Sequence, residues 1–500
     1  MWTHLVLIAT LAFSPPAPRF TDAARRSKLE TAFPQIDRIL ENYKQARGVP
    51  GLVYGVVIDG ELAHVKCLGV RDRDSGDRVT PETLFRIASM TKSFTALAIL
   101  KLRDEGKLSL EDPVAKWIPE FAGIRYPTRD TAPIRIRQLL THGAGFPEDN
   151  PWGDRQLGIA DSTLTGWLRK GIPFSTPPDT SYEYSNYGFA LLGRIVARAS
   201  GMDYQEYLEK EILAPLGMKS STLEPYSVPE RLRAKGYRKN GEAYAEEPPL
   251  RHGAFGAMGG LLTNARDLAR YLAYQLSAYP PRDDVDPGPV RRSSLREMQN
   301  AWRWMALDPE RGSVSGYGYG LVVSRDRRFQ HIVGHGGGLP GFGSYMLWLP
   351  EYGVGLFAMA NLTYAGPVTA LQESLDALRA TGGLQPRVLP PSPELVSAQG
   401  AILRLWRRWE DKEAAAVTAD NFFLDRPAAE RRAEIEQLKE ALGTCRPTGE
   451  VAPENFLRGT FRMACDHGEL SVSFTLAPTV PPKIQYLKFQ KITTHSHEIQ

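Results

Sequence analysis

Cysteine is nearly absent: three residues in 500, Cys67, Cys445 and Cys465. That excludes a disulfide-built scaffold and any cysteine cluster for a metal. Cys445 and Cys465 either pair and staple the C-terminal region or stay two separate thiols, because closeness in sequence does not fix the geometry a disulfide needs. An excess of one charge is also missing. With 61 basic and 57 acidic residues the formal net charge is +4, and nothing calls for nucleic acid or an anionic membrane as partner. After the first residues no apolar run approaches a membrane span. The nine histidines are scattered, with no His-Glu-x-x-His, so metal-dependent hydrolysis is not indicated. No serine sits in Gly-x-Ser-x-Gly, and the glycine-dense stretch 334–343 lacks the Gly-Lys-Ser/Thr ending of a phosphate loop.

What is present reads as an ordinary globular protein, 42% hydrophobic and 24% charged. Its length exceeds what one hydrophobic core usually organises, so two domains are expected. The N-terminus is apolar from Leu5 to Phe13, too short to span a bilayer, with no Lys or Arg before it. Residues 1–20 are read as an export signal, giving a periplasmic or secreted protein with no transmembrane segment in its mature form; a frayed tail is the alternative.

Leu29, Phe33, Ile36, Ile39 and Leu40 repeat at helical spacing over 28–44. An Asp59-Gly60 turn between two apolar runs, 50–58 and 62–70, predicts an antiparallel hairpin. A helix is expected from Ser89 to about Arg103, and others over 186–200, 203–213 and 264–278. A second hairpin is expected over 343–349 and 354–360. Strands at both ends with helices between them predict an α+β fold, its antiparallel sheet closed by distant segments and flanked by helices. The Pro- and Gly-rich stretch 381–396 reads as a linker between a domain over 28–380 and a small α+β module over 397–500. In that module 401–442 reads as helical and 456–490 as three short strands. It resembles the NTF2-like domains loosely, and either binds a partner or covers the mouth of a site.

The segment richest in chemistry is Thr83-Leu-Phe-Arg-Ile-Ala-Ser89-Met-Thr-Lys92. A serine three residues before a lysine at a helix start puts hydroxyl and amine on one face, Cβ atoms about 5–6 Å apart. Burial and the positive helix end both disfavour the ammonium, so Lys92 is placed to take the serine's proton. The same helix start aims backbone N–H groups at the position of a forming oxyanion.

This segment resembles the Ser-x-x-Lys element of class C β-lactamases, penicillin-binding proteins, D-peptidases and related esterases. That resemblance implies a β-lactamase/transpeptidase-like fold with an all-helical subdomain. It also implies a Tyr-x-Asn somewhat under one hundred residues later, supplied by Tyr184-Ser-Asn186, and a Lys/His-x-Gly on a strand, supplied by His335-Gly-Gly337. On this reading Ser89, Lys92 and Tyr184 are catalytic, Asn186, His335 and Gly337 bind substrate, and the N–H groups of Ser89 and Gly338 form the oxyanion hole. No metal or cofactor is implied. Asn186 as a helix N-cap is the plain alternative. Leu139-Leu-Thr-His142-Gly-Ala-Gly145 and the stretch 259–269 resemble further family segments; His142 is read as structural and Asp267 as a helix-start residue.

His335 stands where many class C β-lactamases carry the lysine of Lys-Thr-Gly, and a neutral imidazole offers a substrate carboxylate a hydrogen bond where lysine offers a charge. The expectation is therefore a serine hydrolase acting through an acyl-enzyme on esters or D-amino-acid amides and short peptides. The alternatives are a β-lactamase, or a sensor or scavenger that is acylated and turns over slowly.

Overall fold

In the computed structural model, residues 17–286 and 288–492 are described; the apolar run read as an export signal lies outside them. The chain divides into two compact units: Asp22–Pro386, and a second made by Arg387–Gln500 with the segment up to Thr21.

The larger unit is built on strand Gly51–Ile58 (β1), buried along its whole length. Its apolar run lacks polar alternation because both faces are covered. Val53 and Val57 face one core with Phe357, Met359, Met346 and Trp348, while Leu52, Tyr54, Val56 and Ile58 face a second core with Leu347, Leu349 and Leu356. Neighbouring side chains on a strand point to opposite faces, so one strand serves two cores. Glu61–Gly69 (β2) pairs with β1 through the Asp59–Gly60 turn. The sheet is completed by Arg303–Asp308 (β3), Ser313–Tyr317 (β4), Val322–Arg325 (β5), Ile332–Leu339 (β6), Phe342–Leu349 (β7) and Val354–Ala360 (β8). All eight strands are antiparallel neighbours in the order β2-β1-β8-β7-β6-β5-β4-β3. The β1–β8 pairing joins residues some three hundred positions apart, the closure by distant segments that the sequence predicts.

Helices Phe33–Arg47 (α1) and Val368–Ala380 (α6) contribute to the second core through Ile36, Leu40, Leu371 and Leu375. The other face carries the helical part of the unit: Thr91–Asp104 (α2), Asp161–Lys170 (α3), Asn186–Ser200 (α4) and Ala265–Leu276 (α5) among its helices. α2 is buried almost all round, from Thr91 to Leu102, as a helix at the middle of a core must be. The helix expected over 203–213 is one short α-turn, Tyr204–Tyr207, followed by a π-helical segment, Leu208–Leu213. Strands β3 to β5 escape periodicity because their burial is patchy, and Trp304 and Leu307 of β3 are exposed.

In the smaller unit a five-stranded sheet contains the three long strands Arg458–Cys465, Gly468–Leu476 and Ile484–Ile492. The helical stretch expected over 401–442 is four helices, Pro393–Arg407, Asp411–Val417, Phe422–Asp425 and Ala428–Leu442. Ser392 caps the first of them by accepting from Leu395 N, so its start lies inside the Pro-rich stretch. Cys445 and Cys465 face each other across an antiparallel pair and form a disulfide. Replacing both by serine is expected to destabilise this unit by roughly 3 kcal/mol, the cost of releasing a loop of about this length. The check is a lower urea midpoint, with a slope equal to or steeper than the parent's because the unfolded chain without the crosslink exposes more surface.

Candidate active site

Ser89 lies in a 3₁₀ turn, Ala88–Met90, that leads directly into α2. Ala88 takes a left-handed conformation, φ 49°, which costs a non-glycine residue about 1 kcal/mol. The surroundings hold the turn in place. Ile87 N donates to Leu261 O at 3.0 Å, Ser344 Oγ donates to Ile87 O at 2.9 Å, and Leu261 N donates to Thr91 Oγ1 at 3.1 Å.

Lys92 is fully buried, and its amine has three neighbours: Ser89 Oγ at 3.1 Å, Asn186 Oδ1 at 2.7 Å and Met258 O at 2.8 Å. Burial lowers its pKa to about 7, against the opposing pull of Asp154 and Asp149. Two of the three neighbours, an amide oxygen and a backbone carbonyl, only accept. A neutral amine satisfies both with its two N–H groups and is left with one lone pair, which then faces the only neighbour able to donate, the Ser89 hydroxyl.

Tyr184 pairs its hydroxyl with Ser89, and burial pushes its pKa well above the usual phenol value. Its ring packs on Lys92, with Nζ 4.8 Å from the centroid, and 4.4 Å from the ring of His142. His142 Nδ1 accepts from Ser185 N at 3.0 Å, so Nε2 carries the proton. That group has no hydrogen-bond partner among the described residues and is enclosed by the rings of Tyr184, Tyr317, Phe189 and Tyr182.

Asn186 is the first residue of α4, but the cap is Ser185, whose side chain accepts from Gly188 N. Asn186 uses Oδ1 on Lys92 and donates Nδ2 to Asn150 Oδ1 at 2.6 Å. Asp149 supplies what the helix end still lacks. Its two oxygens accept from Asn186 N at 2.7 Å and Tyr187 N at 2.8 Å, a carboxylate on the positive end of a helix. Nearby, Asp154 Oδ2 accepts from Tyr364 Oη at 3.0 Å, while its Oδ1 has no partner among the described residues. Desolvation raises the pKa of both carboxyl groups. Met258, Asp149 and Asp154 are absent from the sequence reading, and no motif marks them.

His335, expected to bind substrate, lies on β6 with its imidazole buried. Burial lowers its pKa to about 3, so the imidazole is neutral, yet both nitrogens are taken up. Nδ1 lies 2.5 Å from Gly336 O and Nε2 lies 2.9 Å from Tyr317 Oη. A carbonyl accepts only, so Nδ1 carries the proton and Nε2 accepts from Tyr317. A hydrogen bond from this N–H to a substrate requires breaking the bond to Gly336. Tyr317 in turn packs against His142.

On β6, β5 pairs with Ile332–Gly334 alone, which leaves the outer edge of 336–339 without a strand among the described residues. The β6–β7 hairpin closes on the pair Leu339↔Phe342. The closing pair of a two-residue turn is hydrogen-bonded, and bonded pairs alternate along the ladder, so the N–H of Gly338 points to the open edge. Gly337 lies against the serine turn: a Cβ there would collide with Ile87 O and Ser344 Oγ. Gly337→Ala is therefore expected to force strand and turn apart and destabilise the unit by about 1–3 kcal/mol. Denaturant unfolding checks this, a loss below about 0.5 kcal/mol counting against the close approach.

A large antiparallel sheet with helices on both faces, and a Ser-x-x-Lys helix start between sheet and helices, defines the β-lactamase/transpeptidase fold. The Beta-lactamase family model matches residues 36–381, and the chain belongs to that family. Protein flp of Staphylococcus aureus strain MW2 is 30% identical over 330 residues, 66% of this chain and 63% of that one; the chain thus spans less than two thirds of that relative. D-alanyl-D-alanine-carboxypeptidase/endopeptidase AmpH of Escherichia coli K12 is 27% identical over 369 residues, 71% of this chain and 91% of that one. Among solved structures, the octameric penicillin-binding protein homologue from Pyrococcus abyssi superposes with a TM-score of 0.60 at 24% identity, covering 92% of this chain and 93% of that one. Among the described residues no helix is long and apolar enough to cross a membrane.

Proposed function

We propose that this protein is a serine hydrolase that works through an acyl-enzyme on small esters or on D-amino-acid amides and short peptides. The observation that carries the reading is the saturation of Lys92: two acceptors consume its N–H groups, and its lone pair is left for Ser89.

The chemistry follows from that arrangement. Neutral Lys92 takes the Ser89 proton as Oγ bonds to the substrate carbonyl carbon. The negative charge moves to the carbonyl oxygen, between the N–H groups of Ser89 and Gly338. Tyr184, a neutral phenol in contact with Ser89, hands its proton to the departing oxygen or nitrogen and is refilled from the Lys92 ammonium. Water then attacks the acyl group, gives its proton back along the same path, and releases the acid with Ser89 restored. Asn186 holds Lys92 and, through its amide, the substrate. His335 acts through Tyr317, keeping the aromatic wall behind Tyr184 in place.

Two further observations support parts of this reading. The AmpH relative is named for cleavage next to D-alanine, in line with a D-peptide substrate. The Cys445–Cys465 disulfide suits an oxidising compartment, in line with export.

The test is a panel of short-chain nitrophenyl esters, D-alanyl peptides and nitrocefin, with a fluorescent penicillin as label. Turnover of esters or D-peptides exceeding that of nitrocefin is the expected result. Labelling by penicillin without turnover of any substrate would replace the hydrolase by an acylated sensor.

A further inference from the structure

Tyr364 follows β8 in a left-handed conformation, φ 54°, which a bulky residue adopts only where its surroundings impose it. Here the backbone is fixed on both sides: Thr363 N donates to Tyr237 O at 2.8 Å and Tyr364 N to Phe342 O at 3.1 Å. The side chain spans two walls of the candidate site. One edge of the ring lies against β6, where a Cβ on Gly338 would meet Tyr364 Cδ1 at 2.6 Å. The hydroxyl at the other end donates to Asp154 Oδ2 at 3.0 Å. Asp154 is buried, and the residue before it lies against Asn186: a Cβ on Gly153 would meet Asn186 Nδ2 at 2.9 Å. Tyr364 thus bridges the strand that carries the proposed oxyanion donor and the loop beside Asn186. It is 45% exposed, so part of the ring is free to touch a ligand.

The direction of the acyl group follows from the acyl-enzyme reading, on which this inference rests. Tyr184, which hands the leaving group its proton, packs toward His335, ring centroids 6.4 Å apart. Gly338 lies three residues, about 10 Å, further along β6. The leaving group therefore takes the His335 end, and the acyl group runs past Gly338 toward Tyr364. We propose that Tyr364 is a specificity-determining residue that bars the acyl side of the site and favours substrates with short acyl groups. A long acyl chain enters only when the bond to Asp154 breaks and the ring swings aside, so it is accepted at a cost in rate.

The experiment compares kcat/KM for p-nitrophenyl octanoate and p-nitrophenyl acetate, which share a leaving group, in the full-length protein. D-phenylalanine and D-alanine p-nitroanilides give the same comparison for amides. Wild type should prefer the smaller acyl group. Tyr364→Gly and Tyr364→Asn remove the ring and suit a left-handed backbone; each should raise the long-to-short ratio at least about tenfold. Tyr364→Phe keeps the ring and loses the anchor on Asp154, and should raise it about two- to threefold. Both substrates are read on one preparation, so any loss of folded protein cancels in the ratio. A ratio within about twofold of wild type in both Gly and Asn variants overturns the assignment and leaves the hydrolase standing. A variant that alters the ratio of naphthyl to p-nitrophenyl acetate, with the acyl ratio unchanged, also overturns it, by placing Tyr364 on the leaving-group side. No turnover of esters or anilides by wild type overturns it too, and intact D-alanyl peptides would then remove the hydrolase reading as well.

Discussion

Ser89→Ala is expected to lower hydrolysis of every ester or peptide that the protein turns over by roughly 10³- to 10⁶-fold, the range seen when an attacking hydroxyl is deleted from a hydrolase. Covalent labelling by fluorescent penicillin and by a fluorophosphonate should vanish with it. The substitution removes one oxygen from a turn that is held by other groups: Ile87 bonds to Leu261 and Ser344, and Thr91 bonds to Leu261. The Lys92 amine keeps Asn186 and Met258 as acceptors. Unfolding midpoints of variant and parent should therefore agree closely, which separates lost chemistry from lost structure. Residual activity within tenfold of the parent would remove Ser89 from the mechanism.

The second large effect concerns pH. With the Lys92 pKa lowered to about 7, the amine is protonated below that value and its lone pair is not available to Ser89. kcat/KM is thus expected to rise with pH along a limb centred near 7, each unit below the limb costing about tenfold. The sign depends on the base being the deprotonated form; a limb falling through this range would assign the lysine as an acid. Asp154→Asn removes a carboxylate that favours the ammonium, so its limb should move to lower pH. Lys92→Ala should abolish the limb together with the activity. His335, already neutral with its pKa lowered to about 3, adds no limb between pH 5 and 9.

Much of the main sheet is legible in the sequence because its strands are short apolar runs punctuated by tight turns. Gly51–Ile58 with Asp59–Gly60, and the strands flanking Pro350–Gly353, are of this kind. The same holds for α4 and α5, whose apolar spacing and starts are local features. β3 to β5 are not legible, since Trp304 and Leu307 stand exposed on an edge strand and blur the period that marks a half-buried one. The π-helical turn at Leu208–Leu213 follows an apolar pattern that an α-helix would share.

For the candidate site the division falls between neighbours along the helix and neighbours across the fold. The closeness of Ser89 and Lys92 follows from one helical turn, so the sequence alone determines it, as it determines the tyrosine-asparagine and glycine-rich segments that accompany the pair. Only the tertiary structure decides what state the lysine is in. Its acceptors come from Asn186 and Met258, 94 and 166 positions away, its opposing charges from Asp149 and Asp154, and its desolvation from the whole surrounding core. The same packing turns the two nitrogens of His335 to Tyr317 and Gly336. Spacing is a local property of the chain, whereas burial and hydrogen-bond saturation belong to the assembled fold, and it is these that set where a proton rests.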